Sequence, residues 1–158
     1  MRVSVLCYLI ENGRWLMLHR CKKSRDPNEG KWIGIGGGLE EGESPEEACD
    51  REFFEETGLT LTDRSLRGVI TFVSDSCENE LMFLFAASGY RGQLHECDEG
   101  DLYWKDESEI PTLPTWEGDR LFLRKLRENV PFFSMKLIYQ GDRLVSASCD
   151  GKELEFTE

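Results

Sequence analysis

GGLEEGESPEEACDREFFEETGL, residues 37–59, is the stretch of this protein with the clearest local structural signals. Ser44 is a good N-cap for a helix, Pro45 suits the first helical position, and Glu47 completes a capping box. Gly58 is the kind of residue that follows the last turn of a helix, because glycine adopts the left-handed conformation without strain. The sequence therefore predicts a helix that begins after Ser44 and ends before Gly58.

This predicted helix lies in a strongly acidic segment. Between Glu40 and Glu56 there are nine acidic residues and one base, Arg51, so the segment holds −8 of the net charge of −12. Glu52, Glu55 and Glu56 stand at positions i, i+3 and i+4, and their side chains project from one helix face. Like charges at this spacing repel, and the C-terminal half of a helix disfavours anions. We therefore expect a positive charge to compensate them.

The compensating charge can be a bound divalent cation, or the face can simply be solvated. Most glutamate-rich helices are solvated, and the spacing taken alone favours that interpretation. Two neighbouring features favour a metal site instead. The glycine run at 36–38, predicted as a loop after a short strand, lets the backbone approach a ligand closely, and Arg51 can hold adjacent carboxylates through its planar fork. Mg²⁺ binds carboxylate oxygens, so we predict a magnesium site here.

The same stretch resembles the Nudix box, the signature of the Nudix hydrolase family, at every defined position: Gly37, Glu43, Arg51, Glu52, Phe53, Glu55, Glu56, Gly58 and Leu59. The resemblance implies an α/β fold, the Nudix α/β/α sandwich around a mixed sheet. It makes Glu52, Glu55 and Glu56 metal ligands, and it makes Glu55, Glu56 and Arg51 catalytic. Gly37 would assist the metal through its backbone, and Glu43 would help Arg51 to orient the site. The implied reaction is hydrolysis of a nucleoside diphosphate derivative, with Mg²⁺ as cofactor and Mn²⁺ as a substitute.

Similarity to the MutT-type branch, particularly to bacterial 8-oxo-dGTP diphosphatases, extends over nearly the whole chain through LMLHRCKK, EGKWIGIGGGLEEGE, GVITF, DEGDLYW, PTWEGD and PFFSMKLIY. It implies conversion of a nucleoside triphosphate such as 8-oxo-dGTP to the monophosphate and pyrophosphate. In such proteins a glutamate outside the box completes the metal site or acts as the base, and here that residue is Glu99. The alternative for Glu99 is an ordinary exposed loop acid.

Residues near the start of a second predicted helix are candidates for binding the base. Trp116 offers a flat apolar surface on which a purine can stack. Asp119 can hydrogen-bond a purine edge, as a carboxylate or, if buried, as a neutral acid. The alternative is that Trp116 packs in the core and Asp119 caps the helix. Ile33 replaces an asparagine that contacts the oxidised base in the animal enzymes, which predicts weaker discrimination than paired donors and acceptors give.

The polar loop at 20–31 carries five bases: Arg20, Lys22, Lys23, Arg25 and Lys31. We predict that Arg20, Lys22 and Lys23 bind the phosphates, because the helix acids alone would repel a polyphosphate. For any single one of these residues a solvated basic loop is the alternative.

Periodicity and turn residues predict the other elements. Strands are expected at 2–10 and 14–19, joined by a tight turn at Asn12-Gly13, and further strands at 32–35, 66–73, 80–89 and 101–105. The second helix is predicted at about 117–128, with Leu121, Leu123 and Leu126 among its core candidates. Residues 132–140 and 143–148 are predicted to form a C-terminal hairpin.

Length and composition suit one soluble domain spanning residues 1–158, with 39% hydrophobic and 32% charged residues. The acidic balance argues against polymeric nucleic acid as a partner. No apolar run is long enough to cross a membrane, and the N-terminus lacks the pattern of a signal peptide, which predicts a cytoplasmic protein. Six scattered cysteines are expected to be reduced thiols, several of them buried. The expected partner is a small-molecule nucleotide, and the expected assembly is a monomer or a homodimer.

Three other functions compete with this one. A Nudix enzyme can act on general dNTPs, ADP-ribose or a sugar nucleotide, because the box determines phosphate chemistry and the pocket determines the rest. A Nudix-like module that binds a nucleotide without cleaving it would tolerate loss of metal ligands, yet this box is complete. A plain acidic interaction protein would not need the glycine run, the helix cap and Arg51 together.

Overall fold

The computed structural model describes residues 1–21 and 26–156. Its elements, in chain order, are β1 (Arg2–Glu11), β2 (Arg14–His19), β3 (Trp32–Ile33), β4 (Ile35–Gly38), α1 (Pro45–Thr57), β5 (Thr60–Ser74), β6 (Glu80–Arg91), β7 (Asp101–Asp106), a 3-10 helix (Glu107–Thr112), α2 (Asp119–Arg127), β8 (Phe133–Gln140), β9 (Arg143–Cys149) and β10 (Lys152–Glu153). Within these ranges no helix is long and apolar enough to cross a membrane.

The strands form a mixed sheet. Its long path runs β10-β9-β8-β5-β6-β1, and β4 pairs with the other edge of β1. The β1–β6 and β5–β8 pairs are parallel, whereas the other pairs along this path are antiparallel. β2 pairs with β1 only next to the tight turn, then continues into a smaller antiparallel sheet with β3 and β7.

Two hydrophobic clusters lie on opposite faces of the main sheet, as the alternation along β1 shows. Val5, Cys7 and Leu9 join a cluster that includes buried residues of α1, which we call the α1 core. Tyr8 joins a cluster that includes buried residues of α2, which we call the α2 core. Successive strand residues point to opposite faces, so the sheet separates the two helices. The predicted α/β/α sandwich is thereby confirmed.

The local signals around α1 are confirmed. The Ser44 hydroxyl accepts a hydrogen bond from the Glu47 amide, and the Glu47 carboxylate accepts one from the Ser44 amide. Gly58 ends the helix in the left-handed conformation, at φ 79°. In the first hairpin Asn12 and Gly13 both have positive φ, 55° and 73°, as a type I′ turn requires.

The glycine run was wrongly predicted to be a loop, since residues 35–38 form the strand β4 along β1. A Cβ atom on Gly36 would lie 1.9 Å from the Val5 carbonyl oxygen, so only glycine fits this close pairing. Composition alone suggested a loop because glycine is rare in strands.

Other boundaries also differ from the predictions. β5 begins at Thr60, six residues before its predicted start at 66, because its polar first half has no apolar alternation yet still pairs with the end of β6. α2 begins at Asp119 instead of 117, and the 3-10 helix before it was not predicted. Of the three predicted core leucines, Leu123 and Leu126 are buried, whereas Leu121 is only partly buried. The expectation of several buried cysteines is confirmed for Cys7, Cys49, Cys97 and Cys149.

Candidate functional site

Arg51 organises the acidic face where α1 meets β4. Its guanidinium donates to both carboxylate oxygens of Glu43, at 2.6 and 2.8 Å, and to the Gly38 carbonyl oxygen at 3.1 Å. It also donates to Glu52 at 2.8 Å and to Glu55 at 3.3 Å. These hydrogen bonds lower the pKa of Glu43 to about 2, and the neighbouring carboxylates raise the pKa of Arg51 further above its ordinary value. One cation therefore holds three carboxylates and a strand backbone in a fixed arrangement.

Glu56 and Glu99 form a carboxyl pair beside this group. Burial raises the pKa of Glu56 to about 9, and a hydrogen bond and charge repulsion from Glu99 add to the effect. One Glu56 oxygen accepts a hydrogen bond from the Gly36 amide at 3.2 Å. The raised pKa means that Glu56 holds its proton at neutral pH, beside the Glu99 carboxylate that accepts from Arg20. A divalent cation that displaced this proton would satisfy both groups.

The backbone of β4 lies directly against Glu52. A Cβ atom on Gly37 would come within 2.5 Å of the Glu52 carboxyl carbon and 2.6 Å of both its oxygens. A Cβ atom on Gly38 would have no neighbour closer than 3.7 Å. Gly37 is therefore a glycine because the Glu52 carboxylate occupies the space that a side chain would fill.

The donor set here fits a hard divalent cation. It consists of the oxygens of Glu52, Glu56 and Glu99, which is the chemistry that Mg²⁺ binds. In the described ranges, no three His, Cys, Asp or Glu side chains already converge on one ion position. Arg51 engages Glu52, and the pKa of Glu56 is raised by burial and by its neighbour Glu99, so these oxygens already have partners. The predicted ligand Glu55 stands at the exposed edge, with 57% of its side chain accessible.

Arg20, predicted to bind phosphate, lies against carboxylates instead. Its Nε and Nη2 atoms both lie 2.7 Å from the same Asp26 oxygen, and its Nη1 donates to Glu99 at 2.8 Å. Only 13% of the Arg20 side chain is accessible. The other predicted phosphate ligands, Lys22 and Lys23, lie outside the described residues, as does Arg25.

Asp119 lies in a second polar group, at the end of the α2 core. It is 5% exposed, and burial raises its pKa to about 7, while the charge of Lys31 acts in the opposite direction. Tyr8 and Tyr139 are buried beside it, and its charge raises the pKa of both phenols beyond the effect of burial. The Tyr8 hydroxyl has no hydrogen-bond partner of normal geometry within the described residues. Asp119 does not cap α2, because Gly118 is the N-cap and no side chain caps it.

Trp116 lies next to this group and contacts Tyr139 and Lys31. It is partly buried against the α2 core, and its indole N–H donates to the Asn28 side-chain oxygen at 2.7 Å. The Lys31 ammonium lies 4.5 Å from the Trp116 ring centroid, and Tyr139 meets the ring at 84°. Part of the ring is therefore packed and the rest is accessible. Trp116 contributes to the core, and it also leaves a surface on which a purine could stack.

Ile33 is not brought to this group. It pairs with Leu18 and packs against the α1 core, whereas Trp116 packs against the α2 core. Sequence reasoning missed Tyr8, Tyr139, Lys31 and Asn28 as neighbours of the predicted base site. A signal existed for Tyr8, whose position in β1 has the opposite parity to Val5 and Leu9.

Replacing Gly37 by alanine is expected to impair catalysis more than it impairs folding. The new Cβ would force the Glu52 carboxylate away from β4, which moves a proposed metal ligand without removing it. We expect kcat to fall by about 10-fold or more, an effect of about 1.4 kcal/mol, with a raised Mg²⁺ requirement. Gly38→Ala is the matched control, since its Cβ meets only ordinary contacts. Equal kinetics for the two variants would contradict the role given to Glu52.

Comparison with known proteins agrees with this geometry. The NUDIX domain model matches residues 1–126. The chain is 37% identical over 118 residues to the uncharacterized Nudix hydrolase YvcI of Bacillus subtilis, covering 72% of this chain and 71% of that protein. It is 32% identical over 154 residues to the oxidized purine nucleoside triphosphate hydrolase of Danio rerio, covering 96% of each. The MutT protein of Bacillus halodurans superposes with a TM-score of 0.86 at 27% identity, covering 96% of this chain and 99% of that one. The protein is a member of the Nudix hydrolase family.

Proposed function

We propose that the protein hydrolyses purine nucleoside triphosphates in a Mg²⁺-dependent reaction, with an oxidised purine such as 8-oxo-dGTP as preferred substrate, to the monophosphate and pyrophosphate. The observation that carries the proposal is the partly buried Glu56–Glu99 carboxyl pair next to Glu52, at the strand–helix junction of the Nudix box. The identity to the Danio rerio hydrolase over 96% of both chains supports the substrate class. A nucleotide-pool substrate is also consistent with the cytoplasmic location expected from the sequence.

Each part of this acidic group has a separate task in the proposed reaction. A bound Mg²⁺ ion supplies charge that offsets the phosphate oxygens and makes a water more acidic. Glu56 would help to hold the ion once its own proton has left, and the Glu99 carboxylate beside it would accept the proton of the attacking water. Arg51 holds Glu52 in place from the side, and Glu43 and the Gly38 carbonyl hold Arg51 in turn. The rigid arrangement means that little reorganisation is needed when the polyphosphate binds.

Glu56→Gln is expected to remove nearly all turnover while leaving the fold intact. Glu56 is already neutral at pH 7 without a cation, so an amide of the same shape replaces it at little cost in stability. The amide cannot give up a proton to make room for a cation. We expect kcat with Mg²⁺ to fall by roughly 100-fold or more, with an unchanged melting temperature. Glu41→Gln in the same acidic segment is the control, and near-full activity of Glu56→Gln would refute the metal site.

The group around Asp119 offers the proposed means of recognising the base. Oxidation of a purine at C8 places an N–H at N7, where the ordinary base has a lone pair. An ionised Asp119 can accept a hydrogen bond from that N–H, whereas a neutral Asp119 can donate to the ordinary lone pair. The charge of Lys31 acts on the same carboxyl, and the raised pKa values of Tyr8 and Tyr139 keep both phenols as neutral neighbours throughout the range in which Asp119 ionises. Selectivity should therefore depend on the ionisation of Asp119.

The ratio of kcat/KM for 8-oxo-dGTP to that for dGTP is expected to rise as pH increases from about 6 to about 8. The pKa of Asp119 is raised to about 7, so the carboxyl passes from donor to acceptor in this interval. The ratio cancels the pH dependence of the metal site, which both substrates share. Asp119→Asn cannot ionise, so its ratio should not change with pH. Parallel pH profiles in the two proteins would contradict the assignment of Asp119.

One observation favours a second candidate, a less selective purine triphosphate pyrophosphohydrolase. Ile33 packs in the α1 core, where it offers the base neither a donor nor an acceptor. With fewer polar groups at the base edge, the penalty for an ordinary purine is smaller.

A further inference from the structure

A continuous line of polar contacts joins the two groups described above. Arg20 donates to Glu99 at 2.8 Å and to Asp26 at 2.7 Å. The other Asp26 oxygen accepts a hydrogen bond from the backbone N–H of Asn28 at 3.1 Å. The side-chain oxygen of Asn28 accepts one from the Trp116 indole N–H at 2.7 Å. We call Arg20, Asp26 and Asn28 the connecting triad.

A shielded ion pair and two backbone hydrogen bonds hold the connecting triad in place. Only 13% of the Arg20 side chain and 7% of the Asp26 side chain are accessible, so their ion pair is shielded from solvent. The Arg20 amide donates to the Lys31 carbonyl at 3.0 Å, and the Gly30 amide donates to the Arg20 carbonyl. The backbone therefore pins both ends of this loop together, and the position of Asn28 relative to Arg20 is fixed. A buried, paired charge network of this kind loses its geometry when one member is removed.

The hydrogen bond to Asn28 is directional, unlike the contacts that Lys31 and Tyr139 make with the Trp116 ring. The Lys31 ammonium over the ring and the edge of Tyr139 attract the indole but do not determine its rotation. A hydrogen bond to the single indole N–H does determine it. Asn28 thus sets the plane on which a purine would stack.

We propose that Arg20, Asp26 and Asn28 are positioning residues that couple the base platform Trp116 to the carboxylate of Glu99, so that a seated purine and a correctly oriented Glu99 favour each other. The triad holds Glu99 at one end and Trp116 at the other. It therefore sets the distance between the stacked base and the acidic group that acts on the phosphates. The proposal rests on the proposed function for its purine substrate, and it takes Trp116 as the surface on which that purine stacks.

A double-mutant cycle tests the contact between Asn28 and Trp116. Asn28→Ala and Trp116→Phe each remove one partner, and each is expected to raise KM for a purine dNTP by ~5-fold, the size of one neutral hydrogen bond. If the contact carries the effect, the double variant should have no higher KM than either single one. Asn28→Asp keeps the acceptor and should behave like the unmodified protein. Glu29→Gln, in the same loop but outside the triad, is the matched control.

Asp26→Asn tests the coupling itself, because Asp26 touches neither Trp116 nor Glu99. The neutral amide weakens the pairing with Arg20, so we expect both a raised KM and a kcat lowered by ~5-fold or more. Equilibrium binding of a non-hydrolysable purine triphosphate gives a readout besides turnover. In the unmodified protein Mg²⁺ should tighten this binding, and Asp26→Asn should reduce the enhancement by a similar factor. Melting temperatures exclude simple unfolding.

The outcomes separate the two claims. Independent, multiplying effects of Asn28→Ala and Trp116→Phe, or a change in stability alone for Asp26→Asn, would overturn the coupling and leave the proposed function standing. Unmodified kinetics for Trp116→Phe and Trp116→Ala together would overturn the base platform and with it the coupling, whereas the proposed hydrolysis itself is refuted only by near-full activity of Glu56→Gln.

Discussion

The rest of the candidate site depends on the ion pairs that Arg51 forms with the surrounding carboxylates. A helix with three glutamates on one face, in a segment of charge −8, is unfavourable unless a cation lies among them. Arg51 supplies that charge from within the helix, and through Glu43 and the Gly38 carbonyl it also ties α1 to β4. The cost of gathering carboxylates is thereby reduced before any metal binds, while Glu56 and Glu99 are left to respond to one.

The two faces of the main sheet carry different polar groups. Its α1 face carries the acidic group, and its α2 face carries the buried Asp119 with its tyrosines and Trp116. Close pairing of β4 with β1 requires Gly36, and the carboxylate of Glu52 requires Gly37, so the glycine run serves packing and chemistry together. Arg20, at the end of β2, lies between the two groups and joins them through the loop that follows it.

Local features were predictable and long-range ones were not. The capping box, the Gly58 end and the face shared by the α1 glutamates follow from spacing within a few residues. The partners of Arg20 lie 6 and 79 residues away, and those of Trp116 include Asn28, 88 residues away, so no pattern along the chain indicated them. β4 escaped prediction because its glycines are required by a neighbouring strand, which the sequence near them does not reveal.

Substrate preference is the most direct test of the central claim, that a metal-assisted acidic group and a buried carboxyl together select and cleave an oxidised purine triphosphate. The measurement is steady-state kcat/KM with Mg²⁺ for 8-oxo-dGTP, dGTP, the other dNTPs and ADP-ribose at one pH above the pKa of Asp119. We expect a preference for 8-oxo-dGTP over dGTP of about 10-fold or more, equivalent to about 1.4 kcal/mol. Preference for ADP-ribose, or no turnover of any triphosphate, would contradict it.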